Sequence, residues 1–183
     1  MKKIDVFIAV ICGLAVAWIA ADFFGKYSWI FVIVLPLLSI IGLWLAELIG
    51  KKILFIHQAG KFVLVGAFAD VIDIKVFQLL FLFAPFYSLF KSISFIAAVV
   101  IKYLANKHWA FQKHEKDGSG WEAAQFCLVT SIGLIIDVVS FYYLKKIQTG
   151  ISTVLWVELS IIFAALITAV WNFLGYKFIV FKK

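Results

Sequence analysis

The chain has 183 residues, of which 65% are apolar and 15% charged, against about 45–50% apolar in ordinary soluble domains. A water-soluble fold of this size has nowhere to hide that surface, which excludes a soluble enzyme or binding domain. The net charge of +7 comes from lysine alone, with no arginine; the lysines cluster at the ends of apolar runs, where anionic lipid and control of orientation account for them without nucleic acid.

A bilayer crossing takes about 20 mostly apolar residues, because the hydrocarbon is roughly 30 Å thick and a helix rises about 1.5 Å per residue. In chain order the sequence offers six such stretches, at residues 6–22, 29–48, 62–83, 89–109, 124–144 and 154–176. They predict an all-α, polytopic helical membrane protein of about six transmembrane helices. The Met1-Lys2-Lys3 start, with Ala15, Ala17, Ala20 and Ala21 behind an apolar run, also resembles a cleaved signal peptide. The second apolar stretch follows so closely that a helical hairpin fits better. Connections are short and carry turn chemistry: Phe24-Gly25-Lys26, Ala84-Pro85, Lys116-Asp117-Gly118-Ser119-Gly120 and Thr149-Gly150. None is long enough to form a separate soluble domain.

Alternate ends of the six spans differ in charge. One side collects Lys2, Lys3, Lys51, Lys52, Lys61, Lys107, Lys113, Lys116, Lys177, Lys182 and Lys183; the other holds Lys26, Lys91, Lys145 and Lys146. The lysine-rich side is expected in the cytoplasm, which puts both termini on the inner face of the cytoplasmic membrane.

From the third span onward the sequence repeats. Phe62, Leu64, Val65, Ile72, Asp73, Phe77 and Leu80 recur 64 residues later as Phe126, Leu128, Val129, Ile136, Asp137, Phe141 and Leu144. Val100, Leu104, Lys107 and Phe111 recur 70 residues later as Val170, Leu174, Lys177 and Phe181. Apolar matches are common in membrane helices, so the aspartate carries most of the weight. Two copies of a hairpin, near 61–111 and 125–181, are expected to form a four-helix core with residues 1–57 as an added pair of helices. Copies entering from the same side are related by an axis along the membrane normal, and transporters often place a site between such repeats.

Asp70, Asp73 and Lys75 in the third span, Lys102 in the fourth and Asp137 in the fifth lie within apolar sequence. Each costs at least about 2.5–3.5 kcal/mol at mid-bilayer, so such residues face a protein interior or a wet cavity. Asp70 and Lys102 fall at similar depth on neighbouring helices, which suggests a buried ion pair; their counterparts Leu134 and Asn172 are both uncharged. Asp73 and Asp137 remain near mid-bilayer, with Lys75 a candidate counter-ion. They read either as a polar or proton-linked path or as hydrogen-bonded struts.

The aromatic and cationic segments 106–113 and 176–183 fit an interfacial belt and equally suit a phosphate-bearing lipid. Cys12 and Cys127 lie in apolar runs, and His57, His108 and His114 lack the spacing of a metal site. No metal or other cofactor is expected. No nucleophile elbow, phosphate-binding glycine loop or catalytic carboxylate pair appears, so the sequence points away from an enzyme.

Lys61-Phe-Val-Leu-Val-Gly66, the hairpin end Asn106-Lys-His-Trp-Ala-Phe111, Gln125-Phe126 and the close Asn172-Phe-Leu-Gly-Tyr-Lys-Phe-Ile-Val-Phe181 together resemble the GtrA-like family over residues 58–183. The resemblance implies a four-helix membrane domain that moves polyprenyl-phosphate-linked sugars toward the outer leaflet for cell-surface polysaccharide or teichoic-acid glycosylation, often beside a membrane glycosyltransferase. Family members carry an asparagine nine residues before the closing phenylalanine of a hairpin; Asn172 fits before Phe181, while Lys102 stands in its place before Phe111. On this reading Lys107, His108, Lys177 and Lys182 take the phosphate and head group, and Asp73, Asp137, Lys102, Asn172 and Asp70 line the path of the sugar. Expected partners are the lipid-linked sugar, membrane lipids and a glycosyltransferase; a homo-oligomer is compatible with six short helices, but the sequence fixes no interface. The rival readings are a non-transporting scaffold that anchors a glycosyltransferase and a small proton-coupled exporter.

Overall fold

The structure, a computed structural model, describes residues 1–83, 86–113, 119–147 and 152–182. The turns expected at Ala84-Pro85 and Thr149-Gly150, the 116–118 part of the longest connection, and His114, Lys116 and Lys183 lie outside the described residues. Among the described residues six long helices follow in order: α1 (Lys3–Phe24), α2 (Ser28–Gly50), α3 (Leu54–Phe81), α4 (Tyr87–Ala105), α5 (Ser119–Leu144) and α6 (Thr153–Gly175). No strand occurs among the described residues. The helices α4 and α6 each run on into a five-residue π-helical turn, Asn106–Ala110 and Tyr176–Val180.

α3 begins eight residues before the expected start at 62, because His57, Gln58 and Lys61 interrupt the apolar run without breaking the helix. Gly60 lies against Ala46 and Leu43 of α2, and a side chain there would overlap the Ala46 methyl. The chain is grouped into two compact units, Met1–Gln112 and Lys113–Lys183.

In the first unit α1 and α2 form an antiparallel hairpin across the short 3₁₀ turn Gly25–Tyr27. Gly25 closes α1 at φ +48°, ψ −114°, a conformation that a Cβ would strain. The two helices touch where Gly13 meets Pro36: any side chain at Gly13 would strike the Pro36 backbone. Both α1 and α2 pack on α3, which pairs with α4. Ala9, Leu43, Val65 and Trp109 form the core of this unit, with Ile8, Ile40, Leu64 and Ala105 packed around it.

Two ion pairs join α1 to α3. Lys61 meets Asp5 at 2.7 Å near the start of both helices, and Lys75 meets Asp22 at 2.5 Å near their ends. The helices therefore run parallel, with 17 residues between the aspartates and 14 between the lysines, spans of about 25 and 21 Å that match closely enough for both pairs to close.

In the second unit α5 and α6 pair around Phe126, Val129, Phe173, Tyr176, Val180 and Phe181, all buried. The Phe126 and Tyr176 rings stack at 4.5 Å, and the Tyr176 hydroxyl shares a 2.7 Å hydrogen bond with Thr130 Oγ1. Gly175 leaves room for the Val129 side chain, and the Trp171 indole N–H donates to the Val129 carbonyl at 3.1 Å.

Several positions that correspond in sequence are buried alike in the two hairpins. Phe62 and Val65 are buried like Phe126 and Val129, and Ala110 and Phe111 like Val180 and Phe181. The π turns start 70 residues apart, and in each the closing phenylalanine N–H reaches back five residues, Phe111 to Asn106 and Phe181 to Tyr176.

Among the described residues, four stretches are long and apolar enough to cross a membrane: Lys3–Gly50, Tyr87–Ala110, Gly120–Leu144 and Leu159–Val180. The first of these folds into α1 and α2. α2 exposes Ile33, Leu37, Ile41, Trp44 and Leu48 and buries only Pro36 and Leu43. Surface of that kind is stable against acyl chains and costly in water.

Candidate functional site

Among the described residues, ionisable and amide groups gather at the π-turn end of each hairpin, in the middle of α5–α6, and in the middle and at the far end of α3–α4. Asp73 belongs to the last. Its carboxylate accepts from Lys91 Nζ at 2.5 Å and from Ser94 Oγ at 2.6 Å, both on α4. Lys75, the counter-ion expected for Asp73, turns instead to Asp22 and lies 4.8 Å from the centre of the Trp18 ring. The reason is helical geometry, since residues two apart point in nearly opposite directions.

Asp70 and Lys102 interact electrostatically across α3 and α4. The buried ion pair expected of them does not form: Asp70 is exposed, and no hydrogen-bonded contact joins the two. Lys102 is half-buried, and its backbone carbonyl accepts from Asn106 Nδ2 at 2.9 Å.

The second hairpin carries a polar ladder. Asp137 accepts from Thr168 Oγ1 at 3.2 Å. One turn away toward the π turn, Asn172 lies against Gly133 with 6% of its surface exposed. The pairs are spaced by helical turns, Gly133 to Asp137 on α5 and Thr168 to Asn172 on α6. Only glycine at 133 admits the amide, because a Cβ would overlap it. Asn172 Oδ1 is buried without a hydrogen-bond partner, and an unsatisfied buried acceptor costs about 1–3 kcal/mol.

At the π-turn ends the cations differ in access. Lys107 is buried, with its ammonium 3.5 Å from the Tyr103 hydroxyl and above the Tyr103 ring. Lys177 is half-buried between the Phe173 and Phe178 rings, and His108 and Lys182 are exposed. Both lysines are the second residue of their π turn. The wider turn carries each of them past its neighbours in α-helical register, a device common at functional sites.

Sequence reasoning missed a cluster at this end of the first unit. Lys61, 1% exposed, pairs with Asp5, and Trp109 Nε1–H donates to the same carboxylate at 2.8 Å. The Lys61 ammonium lies 5.3 Å from the centre of the Trp109 ring. His57, in the first turn of α3 and outside the apolar span, has a buried Nδ1 without a partner; burial and then the Lys61 charge lower its pKa below 6.5, against the opposing pull of Asp5 and Glu47. Asp5 was legible as an acid at the edge of the first apolar stretch. Gly133 and Thr168 were legible as residues one helical turn from Asp137 and Asn172.

Helices with apolar outer faces, hairpins that repeat and polar groups held between helices define a multi-pass helical membrane protein. The GtrA/DPMS transmembrane domain matches residues 61–181. The chain belongs to that family, which ties it at family level to lipid-linked sugar translocation or glycosylation, among proteins that are generally non-catalytic. No curated protein and no solved structure matches the chain.

Proposed function

We propose that this protein translocates a polyprenyl-phosphate-linked sugar from the inner to the outer leaflet of the cytoplasmic membrane, without covalent chemistry. The observation that carries the reading is the Asn172 Oδ1 acceptor, buried and unpaired one helical turn from the Asp137–Thr168 hydrogen bond within α5–α6. Sugar hydroxyls are costly to desolvate in hydrocarbon, and a ladder of acceptors lowers that cost one helical turn at a time. Each hairpin by itself offers cations to a phosphate at its cytoplasmic π-turn end, Lys177 and Lys182 on α6 and His108 backed by Lys107 after α4, in charge-assisted contacts. Asp73, Asp70 and Lys102 supply polar positions on the first hairpin, and the prenyl tail stays in lipid.

On this reading residues 58–183 form the family's four-helix domain, residues 1–57 are an added hairpin, and both termini are cytoplasmic. A membrane glycosyltransferase supplies the lipid-linked sugar. The test is reconstitution into liposomes with a fluorescent prenyl-phosphate sugar, scoring leaflet exchange. Wild type should exceed protein-free vesicles, and Asn172→Leu and Asp137→Asn should lose most of that excess. Exchange at the protein-free rate in wild type rules out translocation.

One observation favours a scaffold that anchors a glycosyltransferase: Asp73 is fully engaged by Lys91 and Ser94, as a strut would be. A scaffold predicts normal glycosylation in cells carrying Asp73→Asn and Asp137→Asn.

A further inference from the structure

Each of α1, α2 and α3 packs on the other two, yet together they leave a crevice of about 390 Å³. Among the described residues its lining comes from these three helices alone, with Cys12 and Val16 of α1, Leu35 and Gly42 of α2, and Gly60 and Ala67 of α3 along its length. Packed interiors keep few voids larger than a water molecule, and an apolar void does not hold water. From Leu35 to Leu43 on α2 and from Gly60 to Ala67 on α3 the crevice runs about 10–12 Å along the helices. That is room for a stretch of one hydrocarbon chain.

Two polar atoms are stranded one helical turn beyond it. Glu47 follows Leu43 by four residues on α2, and His57 precedes Gly60 by three on α3, so both continue the lining faces toward the junction of the two helices. Gly50 and His57 touch at that junction, and His57 lies within electrostatic reach of Glu47. Glu47 Oε1 meets the Met1 amino group at 2.8 Å. Among the described residues, neither Glu47 Oε2 nor His57 Nδ1 has a hydrogen-bond partner, and both atoms are buried. Lys61, one turn on from His57, is taken by Asp5. His57, with its pKa below 6.5, is neutral at pH 7, and in one tautomer its Nδ1 accepts a hydrogen bond.

We infer that α1, α2 and α3 form a seat for one bilayer lipid of the phosphatidylethanolamine type, with a hydrocarbon chain in the crevice and its ammonium donating to Glu47 Oε2 and His57 Nδ1. Charge complementarity selects this occupant. A buried acceptor without a donor is unfavourable, and a carboxylate oxygen binds a charged N–H more strongly than a neutral O–H. A choline head carries the charge without an N–H; a glycerol head donates only from hydroxyls. The lipid chain and the polar head enter from one end, as the order of crevice and acceptors along α2 and α3 requires. The inference does not depend on what the protein transports.

The test is native mass spectrometry of the full chain in mild detergent, with dioleoyl lipids that differ only in head group. Wild type should retain one ethanolamine lipid per chain, about fivefold or more over the choline and glycerol lipids. Nothing lies within 4 Å of a Cβ added at Gly42, so Gly42→Leu puts a side chain into the crevice; it should retain about tenfold less lipid at unchanged thermal stability. Glu47→Gln should still hold a lipid but retain the ethanolamine and choline forms equally. No retained lipid in wild type, equal retention of all three heads, full retention by Gly42→Leu, or an undiminished ethanolamine preference in Glu47→Gln would each overturn the seat. A Gly42→Leu protein that melts well below Gly42→Ala would show the crevice filled by another part of the chain or by a second copy, and overturns it as well. Leaflet exchange forms no part of this readout, so failure of translocation and failure of the seat are distinguishable.

Discussion

Lys61 is the test of how α1 is held on α3. Lys61 is 1% exposed, and the carboxylate it meets at 2.7 Å, Asp5, is itself 3% exposed and engaged by Trp109. Removing one partner of such a pair leaves an uncompensated buried charge and costs about 3–5 kcal/mol, whereas replacing both by apolar groups is often neutral. Asp5→Asn keeps the acceptor for Trp109 and strands the ammonium. Lys61→Met strands the carboxylate. Each single variant should therefore lose about 3–5 kcal/mol, and Asp5→Leu combined with Lys61→Met should recover most of it. Unfolding in mixed micelles, followed by tryptophan fluorescence, measures all three against wild type. Single variants within about 0.5 kcal/mol of wild type, or a double variant equal to the sum of the singles, would refute the buried pair.

Gly133→Ala should drive the Asn172 amide from its seat and cost about 1–3 kcal/mol of stability, while Gly66→Ala, with nothing within 4 Å of the new methyl, should be neutral or slightly stabilising in the same unfolding assay. Tyr176→Phe removes the hydroxyl shared with Thr130, which keeps its bond to the Phe126 carbonyl; a loss of about 1 kcal/mol is expected. His57 has a folded pKa below its ordinary 6.5, so the unfolded chain takes up the proton first as pH falls. Its contribution to stability is full above pH 6.5 and is lost progressively below it, and His57→Gln should flatten that part of the stability profile.

The membrane class could be read from composition, because lipid demands long apolar helices. Partner choice was harder to read. Asp73 and Lys75 are close in sequence yet point apart on a helix, so each found a partner on another helix, Lys91 and Asp22. Depth reckoning set Asp70 and Lys102 level with one another but said nothing of rotation about the helix axis, which leaves Asp70 exposed. The role of Gly133 depends on a side chain 39 residues away in sequence, and only packing reveals it.

The two bridges from α1 to α3 also bear on how the chain enters the membrane. α3 carries Lys61, Asp70, Asp73 and Lys75, and each charge at the centre of a lone helix costs about 2.5–3.5 kcal/mol on translocon scales. α1 is synthesised first and offers Asp5 and Asp22 at matching depths, so α3 can leave the translocon beside its own counter-ions. A version shortened to begin after residue 57 would deliver both lysines to lipid bare. The first two helices thus act toward α3 as a polar solvent carried in advance into the bilayer.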